Sequence, residues 1–153
     1  MNEVYVPITI QSLNEDVDIK DLEDHLPINN QAVRFKAKVL EHLHDLTPDK
    51  ASIVSICKLS NGGFFLLPRN MRYYDLTAPN YKNEVLAETI GLISSLLALS
   101  DLIYELDKKK ENIDSLIAFY YKVHSYAVID YRFGYEVALV IDGPEILAAK
   151  IVG

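Results

Sequence analysis

The chain has 153 residues, half of them apolar, and a formal net charge of −7 at neutral pH. This length and composition predict a single domain, residues 1–153, with a sizeable core. The most apolar run, residues 90–99, is too short and too polar to span a membrane, and the N-terminus has neither the basic nor the apolar region of a secretory signal. The single cysteine, Cys57, excludes an internal disulfide, so we expect a cytoplasmic protein in which Cys57 is a buried strand residue.

The negative charge is concentrated near the N-terminus. Residues 1–25 hold seven acids and one base, whereas the rest of the chain holds 15 acids and 14 bases. The acidic segment, residues 1–28, is typical of a solvated helix face. It is too short to imitate DNA, which carries a phosphate charge about every 1.7 Å. The near-neutral remainder offers no strong cluster of cations, so we do not expect direct DNA binding.

The first third of the chain predicts an extended edge segment and two helices. The edge segment covers residues 4–10, and a short acidic helix covers residues 16–26. A second helix is predicted from a cap at Asn29 or Asn30 to about Asp45. Its apolar face consists of Ala32, Phe35, Val39, Leu43 and Leu46, joined by Val33, Ala37 and Leu40.

A β-hairpin is predicted next, from two β-prone runs at residues 52–59 and 64–68. They flank Ser60-Asn61-Gly62-Gly63, in which Asn-Gly tolerates the positive φ angles of a type I′ turn. Glycine-rich phosphate loops normally lead into a helix, whereas this one leads into a second apolar strand. The pattern therefore favours a turn over a phosphate site.

The second half predicts a third strand at residues 71–76, a loop at 78–80 and the longest helix at about 83–107. Small residues in that helix, Gly91, Ser94, Ser95 and Ala98, would let another backbone approach closely. A further helix is predicted at about 113–128, residues 135–141 fit strand or helix, and a break at 142–144 precedes a short helix at 145–152. Together these elements predict an α+β fold in which a small antiparallel sheet, the hairpin plus a third strand, is covered by about four helices.

No catalytic or metal-binding constellation is evident. His42 and His44 are two residues apart on a helix and face different directions, so we expect no metal site. The chain has no Walker loop, dinucleotide fingerprint or Gly-x-Ser-x-Gly motif, and we expect no cofactor. Glu88 and His124 would be the best acid–base pair for an enzyme, but His124 is more simply a hydrogen-bonded core histidine.

Two clusters combine cations with aromatic residues, which can stack on bases or anchor a protein partner. The first consists of Arg69, Arg72, Tyr73, Tyr74, Tyr81 and Lys82. The second is Tyr131-Arg132-Phe133-Gly134-Tyr135. An ordinary strand-and-loop role for both clusters remains open at the level of sequence.

Several sequence blocks resemble, in order and spacing, the ArdB/KlcA-like antirestriction proteins of plasmids and other mobile elements. Residues 59–64 are similar to the Leu-Ser-Asn-Gly-Gly-Phe of that family, and residues 86–92 and 97–100 to its long helix. Residues 119–121 with 126–127, and Ile141-Asp142, are similar to its last blocks. The resemblance covers a core of residues 30–142, followed by an extension at 143–153, and the chain lacks the tryptophan of the family's Gly-Gly-x-Trp stretch.

The resemblance implies a non-catalytic inhibitor that protects incoming DNA from type I restriction. Its partner would be a type I restriction enzyme or an associated host protein, with no small molecule required. The alternative is a protein- or nucleic-acid-binding module on the same fold with a different partner. Because a turn must be exposed, and because Asp142 ends the matched region at an Asp-Gly turn, we expect contact residues at Ser60, Asn61, Gly62, Gly63, Arg69, Arg72 and Asp142.

Overall fold

The computed structural model describes residues 6–14, 26, 31–49, 54–69 and 71–142. In this part of the chain the strands are β1 (Ile10–Asn14), β2 (Val54–Leu59), β3 (Phe64–Pro68), β4 (Tyr73–Ala78) and β5 (Tyr81–Leu86). The α-helices are α1 (Ala32–Leu46), α2 (Ala87–Lys108), α3 (Asp114–Ser125) and α4 (Gly134–Ile141). The predicted α+β class is confirmed. The predicted helices at 16–26 and 145–152, and the extension at 143–153, lie outside the described residues, apart from the buried Leu26.

The hairpin β2–β3 is confirmed, but its turn is not of type I′. The amide of Leu59 donates to the carbonyl of Gly63 (2.8 Å) and the amide of Gly62 to the carbonyl of Leu59 (3.1 Å), which closes a three-residue loop. Gly62 has φ +91°, whereas Asn61 has no positive φ. A type I′ turn needs positive φ at both central residues, so this is the longer loop in which one left-handed glycine completes the reversal.

The third strand of the hairpin sheet is β1, not the segment after the hairpin. The sheet order is β1-β2-β3, all antiparallel, with β1 at an edge and starting only at Ile10. Strand β4 pairs instead with β5 in a separate two-stranded ribbon that turns at residues 79–80. Residues 83–86, predicted as the start of the long helix, belong to β5, because Leu86 is extended (ψ 155°) and the helix begins at Ala87.

Helix α2 is the centre of the core and packs against β3. A Cβ added at Gly91 would lie 2.6 Å from the carbonyl oxygen of Leu66, which confirms the predicted close approach of another backbone. The Ser95 hydroxyl accepts a hydrogen bond from the Leu66 amide (2.9 Å) and donates to the Leu66 carbonyl (3.2 Å). By length and composition α2 is apolar enough to cross a membrane, but 67% of its most apolar stretch is buried inside the fold.

Helix α1 covers the other side of α2. Its predicted apolar face, Ala32, Phe35, Val39, Leu43 and Leu46, is buried as expected. Val33 is 56% exposed and does not join that face. The residue that precedes the helix is Gln31, and its side chain makes no capping hydrogen bond. The predicted asparagine cap, at residue 29 or 30, lies outside the described residues.

Polar side chains form a seam between α1 and α2. Arg34 and Lys38 both contact the Glu105 carboxylate, the lysine at 2.7 Å. His42 Nε2 lies 2.6 Å from an oxygen of Asp101. The hydrogen bond from Lys38 is the largest of the effects that lower the pKa of Glu105. Opposite charges across the seam favour one alignment of the two helices.

The C-terminal third runs from α3 through a π-helical turn, Tyr126–Asp130, into α4. Residues 135–141, for which the sequence left strand and helix open, are therefore helical. A Cβ at Gly134 would lie 2.7 Å from the Ala127 carbonyl oxygen, so α4 starts in close contact with the π-helical turn. This contact requires a residue without a side chain at position 134.

Candidate partner-binding site

The hairpin loop is only partly available for contacts. Ser60 and Gly62 are exposed, Asn61 is half-buried and Gly63 is buried. The Asn61 amide donates to the Lys122 carbonyl of α3 (2.9 Å), and its side-chain oxygen accepts from the Gly63 amide (3.0 Å). The expectation of a fully exposed loop is therefore wrong, because Asn61 fastens the turn to α3.

Asp142 is not the exposed turn residue that the sequence suggested. Its side chain is 16% exposed, and its Oδ2 lies 3.4 Å from His124 Nε2 near the end of α3. The His124 ring stacks on Tyr120 with centroids 5.7 Å apart. Burial, followed by the Asp142 charge, raises the pKa of Tyr120 to about 12. Asp142 thus links the end of α4 to α3 through a side-chain contact.

The first arginine–aromatic cluster divides between surface and core. Arg69, Arg72 and Tyr73 are exposed, and the Arg72 guanidinium lies 5.6 Å from the Tyr73 ring centroid. Tyr74 is 1% exposed, and its hydroxyl accepts a hydrogen bond from the Met71 amide (3.0 Å). Alternation along β4 explains the difference, because neighbouring strand residues face opposite sides.

The structure brings part of the first cluster, Tyr73 and Tyr81, together with the second cluster across one groove of about 400 Å³. We call it the aromatic groove; it lies between the β4–β5 ribbon and the loop that leads into α4. Its lining consists of Tyr73, Tyr81, Asn83, Glu84, Val85, Leu86, Arg132, Phe133, Tyr135 and Glu136. Arg72 does not line this groove but lies beside it, next to Tyr73. The sequence contained both halves of this site but no sign that they meet, although each half pairs an arginine with an adjacent aromatic ring.

Two hydrogen bonds hold the groove walls in place. The Tyr81 hydroxyl donates to Glu136 Oε2 at 2.5 Å, and the Asn80 side-chain amide donates to the Leu139 carbonyl at 3.0 Å. Burial and the bond to Glu136 raise the pKa of Tyr81. Tyr131 belongs to the core and not to the groove, because it is 9% exposed and its hydroxyl lies 2.6 Å from that of Thr89.

A second cavity of about 380 Å³ adjoins the aromatic groove and shares Leu86, Arg132 and Phe133 with it. Glu88 and Asp130 also line this cavity. Asp130 accepts a hydrogen bond from the Ile8 amide (2.9 Å), which ties the segment before β1 to the π-helical turn. Arg132 therefore stands at the junction of two recesses in the surface.

The reactive side chains that the sequence offered do not come together as a catalytic pair in the structure. Burial raises the pKa of the Cys57 thiol to about 12, so at neutral pH it is not a thiolate nucleophile. Glu88 faces the second cavity, whereas His124 contacts Asp142. In the part of the chain that the structure describes, no three His, Cys, Asp or Glu residues are grouped to hold a metal ion.

The chain is similar to known proteins in both sequence and fold. The model of a family described as antirestriction protein matches residues 50–141. A solved structure of the KlcA and ArdB proteins superposes with a TM-score of 0.73 over 93% of this chain and 100% of the other, at 22% identity. Those proteins have a novel fold and antirestriction activity against type I DNA restriction systems in vivo but not in vitro. No curated protein sequence matches the chain.

Proposed function

The chain belongs to the antirestriction protein family, as its sequence blocks predicted, and we propose that it protects the DNA of a mobile element from type I restriction enzymes. The observation that carries this proposal is the family match over residues 50–141. The likeness of fold to the KlcA and ArdB proteins, which counter type I systems in vivo, supports the choice of type I enzymes as the target.

We further propose that the protein works in the cytoplasm as a non-catalytic inhibitor. The Cys57 thiol is buried with a raised pKa, and Glu88 lines the second cavity whereas His124 contacts Asp142, so these residues form neither an activated nucleophile nor a paired acid and base. The KlcA and ArdB proteins act in vivo but not in vitro, which favours a mechanism that needs a further host component.

The experiment is a plating assay with unmodified phage on a host that carries a type I system. Expression of this protein should raise the plating efficiency on the restricting host and leave it unchanged on an isogenic host without the system. Equal restriction with and without the protein, at a verified level of soluble expression, would refute the proposal.

The contact residues within this function are also a proposal. Arg69 and Arg72 are exposed, and Arg72 adjoins the aromatic groove through Tyr73. Ser60 and Gly62 remain accessible contacts on the hairpin loop. Loss of protection in Arg72→Ala, with the variant folded, would support this assignment. Full protection by Arg72→Ala and Asp142→Asn would show that the contacts lie elsewhere.

A further inference from the structure

The aromatic groove presents the residue types that protein interfaces favour. Tyr73 is 46% exposed and Tyr135 is 66% exposed, and Met71, next to Arg72, is 44% exposed. Tyrosine, phenylalanine, methionine and arginine are enriched in the centres of interfaces, and they dominate binding energy when a partner covers them. Exposure of several such side chains around one concave site indicates a surface that another molecule covers.

The charges around the groove define the chemistry of that molecule. The Arg72 guanidinium lies 5.6 Å from the Tyr73 ring centroid, and that of Arg132 lies 5.1 Å from the Phe133 centroid. Among the described residues neither arginine makes an ion pair. A guanidinium that lies over a ring keeps its in-plane N–H groups, which match the two oxygens of a carboxylate.

We propose that the aromatic groove is the docking site for an acidic segment of a protein partner. Carboxylates of that segment bind Arg72 and Arg132, and an apolar side chain between them packs against the exposed tyrosines. This proposal rests on the proposed function, since it assigns the surface through which the inhibitor would engage a host protein.

A nucleic-acid strand fits the groove less well than an acidic protein segment. Glu84 and Glu136 line the same groove, and Glu84 is directly opposite another acid, Asp75, in the ribbon. A phosphate backbone carries one charge at each nucleotide and would place charges against these carboxylates. In a protein segment the acids can occur only at the positions that meet the arginines. The other positions then carry no charge that Glu84 and Glu136 would repel.

The test is a fluorescence anisotropy titration of the full chain with three labelled probes. They are a short peptide with two acids around one phenylalanine, Gly-Glu-Phe-Asp-Gly, the same peptide with lysine in place of each acid, and a single-stranded oligothymidylate. The expected result is saturable binding of the acidic peptide alone. In the double variant Arg72→Gln, Arg132→Gln the dissociation constant for the acidic peptide should rise about tenfold or more, because the charge-assisted hydrogen bonds to the carboxylates are lost.

The matched control is Lys108→Gln. The Lys108 ammonium lies 4.7 Å from the Tyr104 ring centroid at the end of α2, so the control removes a similar cation beside an exposed tyrosine without touching the groove. It should bind the acidic peptide as the parent does. Preference for the oligothymidylate or the basic peptide, or equal affinity in the double variant, would overturn the proposal.

The same variants in the plating assay separate this proposal from the proposed function. Protection by the parent that persists in the double variant would overturn the docking site and leave the function intact. No protection by the parent, with the peptide result as expected, would refute the function and retain the groove as a docking site for acidic segments.

Discussion

Two neighbouring serines in α2 have opposite roles at the scale of single atoms. Ser95 satisfies both the amide and the carbonyl of Leu66, which lie on the edge of β3 that pairs with no other strand in the described part of the chain. Among the described residues, Ser94 Oγ is the one buried side-chain polar atom without a hydrogen-bond partner. A buried unpaired polar group costs free energy, whereas a paired one is roughly neutral or stabilising.

Substitution of each serine by alanine should therefore have effects of opposite sign. Ser94→Ala removes an unsatisfied hydroxyl and introduces a better helix former, so the free energy of unfolding should rise by about 0.5–1 kcal/mol. Ser95→Ala leaves two groups of Leu66 unpaired and should lower it by about 1–3 kcal/mol. Urea unfolding of both variants checks this, and a destabilised Ser94→Ala would contradict it.

Asn61 provides a second prediction at the residue scale. Its side chain bonds to the Lys122 carbonyl and to the Gly63 amide, so Asn61→Ala should lower the free energy of unfolding by about 1 kcal/mol. Ser100→Ala, at an exposed position of α2, is the control and should change it by less than about 0.5 kcal/mol. Unchanged stability in Asn61→Ala would show that the loop is not fastened to α3 in solution.

At the scale of helices and strands, α2 packs so closely on β3 that the side chain at position 91 has no room. A Cβ at Gly91 would lie 2.6 Å from the Leu66 carbonyl oxygen and 2.8 Å from the Leu67 Cα, both backbone atoms that cannot rotate away. Gly91→Ala should thus be destabilising by about 1–3 kcal/mol, although alanine is the better helix former. Thermal unfolding measures the change, and a stabilised Gly91→Ala would mean that the helix stands farther from the strand.

The spacing of apolar and small residues predicted these packed faces, because the buried residues of a helix or strand recur with the period of that helix or strand. The apolar face of α1 and the small residues of α2 were both read from spacing alone. Strand β5 was missed because only Val85 is buried along it and its polar residues also fit a helix. The pairing of β4 with β5 is itself local, a hairpin that turns at residues 79–80, and it was missed together with β5.

The candidate site was predictable only in parts. Arg72, Tyr73 and the run from Arg132 to Tyr135 were recognised as clusters, because cations beside aromatics stand out in sequence. Their meeting in one groove depends on how the ribbon packs against α4, through Tyr81 and Glu136. The surroundings of Asp142 depend likewise on its contact with His124, 18 residues away, so its exposure was wrongly predicted.

Buried tyrosines couple the stability of the whole molecule to alkaline pH. Burial raises the pKa of both Tyr120 and Tyr126 to about 12, and that of the Cys57 thiol to about 12. In the unfolded chain a tyrosine ionises near pH 10. The folded protein therefore holds more protons than the unfolded chain between about pH 10 and 12, and linkage requires its stability to fall across that interval.

We accordingly expect the free energy of unfolding to be constant up to about pH 9 and to decrease as pH rises towards 12. The decrease begins with the thiol and continues with the phenols, because a cysteine of the unfolded chain ionises at a lower pH than a tyrosine. Tyr126→Phe removes one ionising group and should make the decrease shallower. Tyr104→Phe, at a side chain that is 62% exposed, should leave the decrease unchanged.

Urea unfolding at a series of pH values, with tyrosinate absorbance recorded in parallel, measures the free energy of unfolding and the ionisation of the tyrosines. A pH-independent free energy across the interval would contradict the burial of these hydroxyls in solution, because an accessible phenol has the same pKa in both states and contributes no slope.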